Sequence, residues 1–313
     1  MSEYFVKLRS NYLDGTVDLN IIMPNPFVGH KPERFYNSGK KFPVLWLLHG
    51  GEDTYADWIT YSSVPRLGIW KNTIIVAPSV PNSDFINQPL VGEGYKFYDF
   101  FYHELMPFIY NWFPASSDPA RNFLAGNSMG CEAVWRYGLL NPGTFGCIAP
   151  LGQAPNDYRH LEEYRDMCRD DFRKMAGEKY ILSAYGEKGQ RLRMREINNI
   201  CKYATVGDFL DSMENTMARF DEAAKDGRLP RIYLPGNATE MADFKKHTED
   251  LGVTNITFDL SDKPSYNTDF WENAVEDFMD FAGLENVEKN DGSAPIKTGS
   301  NDFEDEENGI TLH

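Results

Sequence analysis

The chain reads as an α/β protein with a mostly parallel central sheet and helices on both faces, and three observations lead there. Residues 42–48, 73–77 and 122–125 are nearly continuous apolar runs, the pattern of strands packed on both sides, where a half-exposed strand would alternate. Segments with helical spacing separate these runs, so successive strands run parallel through crossover helices. One run ends in Gly126-Asn127-Ser128-Met129-Gly130 and is followed by the helical stretch Ala133 to Tyr137, which sets a serine on a sharp strand-to-helix turn.

Taken in order, Tyr4 to Ser10 and Thr16 to Met23 alternate around Leu13-Asp14-Gly15 and predict an antiparallel hairpin at the sheet edge. A Pro/Gly/Asn-rich link, Pro24 to Lys40, leads to the first buried strand, which ends in His49-Gly50-Gly51. The strand at 73–77 stops at Pro78-Ser79, and Tyr95 to Phe113 has helical spacing through Tyr98, Phe101, Leu105 and Phe108. After the elbow helix comes a strand, Phe145 to Leu151. Residues 153–205 change character, to charged stretches rich in Tyr and Met, and predict an inserted, mostly helical cap. It carries eleven Lys/Arg, among them Arg159, Arg165, Arg191, Arg193 and Arg195, against nine acids, so it is basic within an acidic protein. A helix from Gly207 to Lys225, a strand Arg231 to Leu234, a helix to Leu251, a strand Asn255 to Leu260 and a helix Phe270 to Phe281 complete one domain, residues 1–284. Residues 285–313 are polar, with eight acids against two lysines, and predict a disordered tail.

Composition narrows the function. At 313 residues and 42% hydrophobic the chain can bury a full core, and a net charge of −16 argues against binding nucleic-acid backbones. Without a long apolar segment it is expected to be cytoplasmic and to avoid the membrane. Four scattered cysteines suggest neither zinc nor disulfides and read as buried thiols. No metal or cofactor is expected.

A serine hydroxyl needs a base to take its proton, and the tetrahedral oxyanion needs fixed N–H donors. Ser128 is the candidate nucleophile. The backbone N–H groups of Met129, opening the helix, and of Gly51, ending the neighbouring strand, are the candidate oxyanion hole. His49 is a possible base, but reads better as an organiser of the glycine loop.

The succession His49-Gly50-Gly51, Asp53 to Trp58, Val76-Ala77-Pro78-Ser79, His103-Glu104-Leu105, Gly126 to Gly130 and Asn141-Pro142-Gly143-Thr144-Phe145 resembles the tributyrin-esterase family. That family includes the esterase D type enzymes and, more distantly, feruloyl esterases and mycolyltransferases. The resemblance runs from about residue 4 to 284 and is strongest in the first half. It implies an α/β-hydrolase fold and hydrolysis of acyl esters by a Ser-Asp-His triad without cofactor.

The second half departs from that pattern. The family's aspartate position holds Thr239, with Glu240 next, and its histidine position holds Tyr266; Cys131 replaces a third glycine. Among six histidines, His30 is in the early link, His313 is terminal, and His103 and His247 are on helices. That leaves His160, in the cap, as the possible substitute base and Glu240 as the possible acid. Three readings follow: a serine esterase on small acyl or acylated-sugar esters, weakened by an incomplete triad; a non-catalytic relative binding a carbohydrate, acyl ligand or partner; and an acyltransferase. A phenol, ionising near pH ~10 in water, replaces an imidazole poorly. The oligomeric state is not readable from the residues.

Overall fold

The computed structural model describes residues 2–26, 31–88, 95–183, 194–284 and 286. The predicted hairpin is β1 (Ser2–Ser10) and β2 (Gly15–Met23), paired antiparallel from Ser2 opposite Met23 to Ser10 opposite Gly15. The link contains a short helix, α1 (Pro32–Tyr36), and leads to β3 (Val44–Leu48), then α2 (Tyr55–Ile59), α3 (Val64–Trp70) and β4 (Ile74–Ser79). Next come α4 (Phe97–Phe100), a π-helical turn (Phe101–Leu105) and α5 (Met106–Trp112). Strand β5 (Asn122–Asn127), helix α6 (Met129–Leu140) and strand β6 (Cys147–Leu151) form the centre.

A 3-10 turn (Arg159–Tyr164), α7 (Arg169–Ser183) and α8 (Met194–Ile200) are the described helical elements of the stretch expected to form a cap. The chain continues with α9 (Val206–Leu210), α10 (Thr216–Lys225), β7 (Ile232–Asn237), α11 (Ala238–Asp250), β8 (Ile256–Ser261) and α12 (Thr268–Phe281). The eight described strands form one sheet in the order β1-β2-β4-β3-β5-β6-β7-β8. Pairs β1–β2 and β2–β4 are antiparallel and the rest parallel, as expected.

The core explains the uninterrupted apolar runs. Val44, Trp46 and Leu48 of β3 enter one cluster, with Phe101, Leu124 and Trp135; Leu45 and Leu47 enter another on the opposite face, with Phe123, Val275 and Phe278. A third cluster joins the 3-10 turn, α7, α8 and α9 through Tyr158, Leu161, Phe172, Ile197, Ile200, Val206 and Phe209 among others.

Several expectations are corrected. The helix read over Tyr95 to Phe113 begins at Phe97 and widens at Phe101–Leu105, where the N–H of Met106 reaches the carbonyl of Phe101. Pro107 follows and has no N–H for the ladder. The helix read over Gly207 to Lys225 is two helices: Asn215 turns its side-chain amide onto the Leu210 carbonyl (3.0 Å) and ends the first. Helices α2 and α3 were not expected. Thr54 caps α2 with Asp57 in a reciprocal box, and Pro65 occupies the first turn of α3, where its missing N–H costs nothing. Cys131, Cys147 and Cys201 are buried, but Cys168 is exposed. Arg191, Arg193, His30, His313 and nearly all of the tail lie outside the described residues. Among the described residues no helix is long and apolar enough to cross a membrane.

Candidate active site

Ser128 stands between β5 and α6 with φ 51° and ψ −115°, a conformation that an L-residue adopts only under constraint. The glycines flanking it have a steric cause. A Cβ on Gly126 would lie 2.8 Å from the Gly130 carbonyl carbon, and one on Gly130 would lie 2.7 Å from the Leu48 carbonyl carbon. Strand β3, the elbow and the start of α6 therefore meet with only backbone between them. Met129 is the first residue of α6, so its N–H is free of the helix ladder.

The loop after β3 reaches the same place. A Cβ on Gly50 would sit 3.3 Å from Ser128 Cβ and would collide with the Asp53 carboxylate. His49 is buried beneath this loop, with Nδ1 2.7 Å from the Gly50 carbonyl and Nε2 accepting the Val80 N–H at 3.1 Å. Nδ1 therefore carries the proton. Burial lowers the pKa of this imidazole, and both ring nitrogens are engaged, so His49 organises the loop as expected and is not free to serve Ser128.

On the other side of Ser128, Tyr266 Oη donates to Ser128 Oγ at 3.1 Å. The residue that the sequence resemblance sets at the family's histidine position thus lies against the Ser128 hydroxyl. Its loop is held at several points. Asn237 Nδ2 donates to the Lys263 carbonyl (3.1 Å), Ser265 Oγ donates to Glu240 Oε2 (3.2 Å), and Asn267 caps α12 through the Phe270 N–H (2.9 Å). The Tyr266 ring meets Trp271 edge-on, centroids 5.1 Å apart.

Thr239 is exposed in the first turn of α11, its N–H taken by the Asn237 side chain at 2.9 Å. Glu240 bonds Ser265. His160 is in the 3-10 turn of the insertion, and among the described residues no hydrogen bond joins it to Ser128. His247 is paired with Asp221 at 2.6 Å, and His103 lies against the Tyr12 ring. The structure thus brings together Ser128, Met129, the Gly50-Gly51 loop and Tyr266. Sequence reasoning missed Asp53 and Asn127, which adjoin Gly50, and Asn237, whose place after a strand and before a helix is an N-cap signal.

An eight-stranded, mostly parallel sheet with a serine elbow at the carboxyl end of β5 defines the α/β-hydrolase fold. The chain belongs to the "Putative esterase" family, whose sequence model matches residues 10–195. It is similar to an acetyl esterase of Caldicellulosiruptor saccharolyticus, 28% identical over 142 residues. That match covers 42% of this chain and spans about half (53%) of the relative's length.

Among solved structures it resembles the substrate-bound fluorophosphonate-binding serine hydrolase F of Staphylococcus aureus, with TM-score 0.64, 19% identity, and 90% and 98% of the two chains covered. It also resembles the S-formylglutathione hydrolase of Staphylococcus aureus, with TM-score 0.63, 18% identity, and 90% and 99% covered. A ferulic acid esterase gives TM-score 0.59, 17% identity, and 90% and 97% covered. At these identities the likeness is one of fold, and it agrees with the esterase D type resemblance read from the sequence.

Proposed function

We propose that the chain is a slow carboxylic ester hydrolase acting on small acyl or acylated-sugar esters, with Ser128 as nucleophile. The observation that carries this reading is the 3.1 Å contact of Tyr266 Oη with Ser128 Oγ at a strained elbow. Ser128 Oγ attacks the ester carbonyl and its proton passes to water. The oxyanion is held by the N–H groups of Gly51 and Met129. Tyr266 serves as a hydrogen-bond donor beside the reacting oxygens, and the alcohol departs with a proton from solvent. Water then cleaves the acyl-serine bond. An oxyanion hole and binding alone sustain something like 10³–10⁴-fold over water, whereas base assistance adds typically about 10²–10⁴-fold. Turnover is therefore low. Residues 153–205 act as a cap over the mouth of the site, because ligands of open α/β sheets lie at the carboxyl ends of the strands. The folded domain is residues 1–284, and the protein works in the cytoplasm.

A non-catalytic binding role is the second reading, favoured by the lack, among the described residues, of any hydrogen bond between Ser128 Oγ and an imidazole. Acyl transfer to an acceptor other than water is the third. Incubation with p-nitrophenyl acetate followed by peptide mass spectrometry separates them. Acetylation confined to Ser128 that decays in buffer supports hydrolysis, decay only with an added alcohol or sugar supports transfer, and no acetylation supports binding alone.

A further inference from the structure

We propose that Asp53 is a positioning residue for the oxyanion hole: its carboxylate ties the loop after β3 to the elbow after β5 and so fixes the distance between the Gly51 and Met129 N–H groups. The proposal rests on the reading of Ser128 given above. The Gly50 N–H and the side-chain amide of Asn127 both act to stabilise the charged form of the Asp53 carboxylate. The space beside the Gly50 Cα converges on the same groups, with the Asp53 carboxylate in contact, Asn127 Nδ2 at 3.2 Å and Ser128 Cβ at 3.3 Å. Gly50 is one residue before Gly51, and Asn127 is two before Met129. A single carboxylate therefore faces both segments that supply donors.

The other anchors of the loop lead elsewhere. His49 Nε2 accepts from Val80, the Glu52 N–H donates to Asn82 Oδ1 at 2.7 Å, and the Tyr55 N–H to Ser79 Oγ at 2.9 Å. All three run to β4 or the segment after it, whereas Asp53 faces Asn127 at the end of β5. A misplacement of about 1 Å in such a constellation can cost ~10²-fold in rate.

The charge of Asp53 matters to the tie. Burial first, then the neighbouring Asp57 and Glu52, push its pKa above the ordinary aspartate value, while Gly50 and Asn127 oppose the shift. As pH falls through that raised value the carboxylate takes up a proton and loses its charge as acceptor for the two donors. The rate at Ser128 should then show an acid limb above the ordinary aspartate value. His49, Asp57 and Glu52 are the other titrating groups at this loop.

The test uses phosphonylation of Ser128 by a neutral alkyl fluorophosphonate, in which the Oγ–P bond forms, fluoride leaves and the serine proton goes to water. Labelling is followed by mass spectrometry from acid to neutral pH for the wild type, Asp53→Asn and Asp53→Ala. Asp53→Ala should slow labelling by about 10–100-fold. Asp53→Asn keeps one uncharged acceptor, so it should stay within about 10-fold of wild type and lose the acid limb. Labelling of Asp53→Ala at the wild-type rate, or an acid limb unchanged in Asp53→Asn, overturns the proposal. If Asp53→Ala does not fold, the pH profile of Asp53→Asn decides alone. If wild-type Ser128 is not labelled at all, the nucleophile reading fails by itself. The tie is then judged from amide hydrogen exchange, where faster exchange of Gly51 and Met129 in Asp53→Ala supports it and unchanged exchange overturns it.

Discussion

Ser265 Oγ donates to Glu240 Oε2 across 3.2 Å, one residue before Tyr266, so the acid next to the family's aspartate position holds a loop rather than an imidazole. Ser265 is buried, and its hydroxyl loses this acceptor in Glu240→Ala. A buried hydroxyl left unpaired costs about 1 kcal/mol or somewhat more, which lowers Tm by roughly 2–4 °C in a chain of this size. Thermal unfolding checks this. Glu240→Gln, which keeps an acceptor, should restore most of the loss.

Tyr266→His alone places an imidazole at the nucleophile without an acid to orient it, and Thr239→Asp alone supplies the acid without the base. The two changes act as a unit, so together they should raise ester hydrolysis by about 10-fold or more, beyond the product of the single effects. Steady-state rates with p-nitrophenyl acetate test it. A double variant no faster than the better single variant would mean that the loop 261–267 does not carry the imidazole to Ser128.

The carboxyl end of the domain is fixed by a buried lysine. Lys71 Nζ pairs with Asp280 and donates to the Leu284 carbonyl at 3.1 Å. Asp280→Ala takes the carboxylate from this buried ammonium and should cost about 1–3 kcal/mol, read by denaturant unfolding. Truncation after Asn286 keeps both Lys71 acceptors and should leave Tm within ~2 °C. Truncation after Phe281 removes the Leu284 carbonyl and should lower Tm further.

Glu214 is buried beside Lys202 and Arg136, and burial raises its pKa despite those cations. The sign follows from linkage. With a folded value above the unfolded one, the native state binds the proton more tightly, so stability is highest below the unfolded pKa and falls as pH rises through the folded value. Glu214→Gln removes this fall. The Tm of Glu214→Gln minus that of wild type should therefore grow from acid to neutral pH, and a constant difference would contradict the assignment.

Most of the fold was readable because its central strands carry side chains into two cores. Residues 44–48 send alternate side chains to opposite faces, which writes β3 into the sequence as an unbroken apolar run. The elbow was readable because backbone crowding demands glycine at 126 and 130. Helices of five to seven residues, such as α2 and α3, were not, since their caps and first-turn proline also read as loop. The place of Tyr266 followed from counting along the resemblance. Its hydrogen bond to Ser128 did not, nor did the tie from Asp53, because both join segments far apart in the chain.

Ser128 is proposed to act as a nucleophile without an imidazole base. The most direct measurement is the initial rate of p-nitrophenyl acetate hydrolysis by the wild type beside Ser128→Ala at neutral pH. A wild-type rate that is low yet at least about 10-fold above Ser128→Ala, and raised by Tyr266→His with Thr239→Asp, is the predicted result. Turnover of many per second abolished in Ser128→Ala would contradict it by revealing a base, with His160 the first residue to replace, and equal rates in the two proteins would contradict it by removing Ser128 from the chemistry.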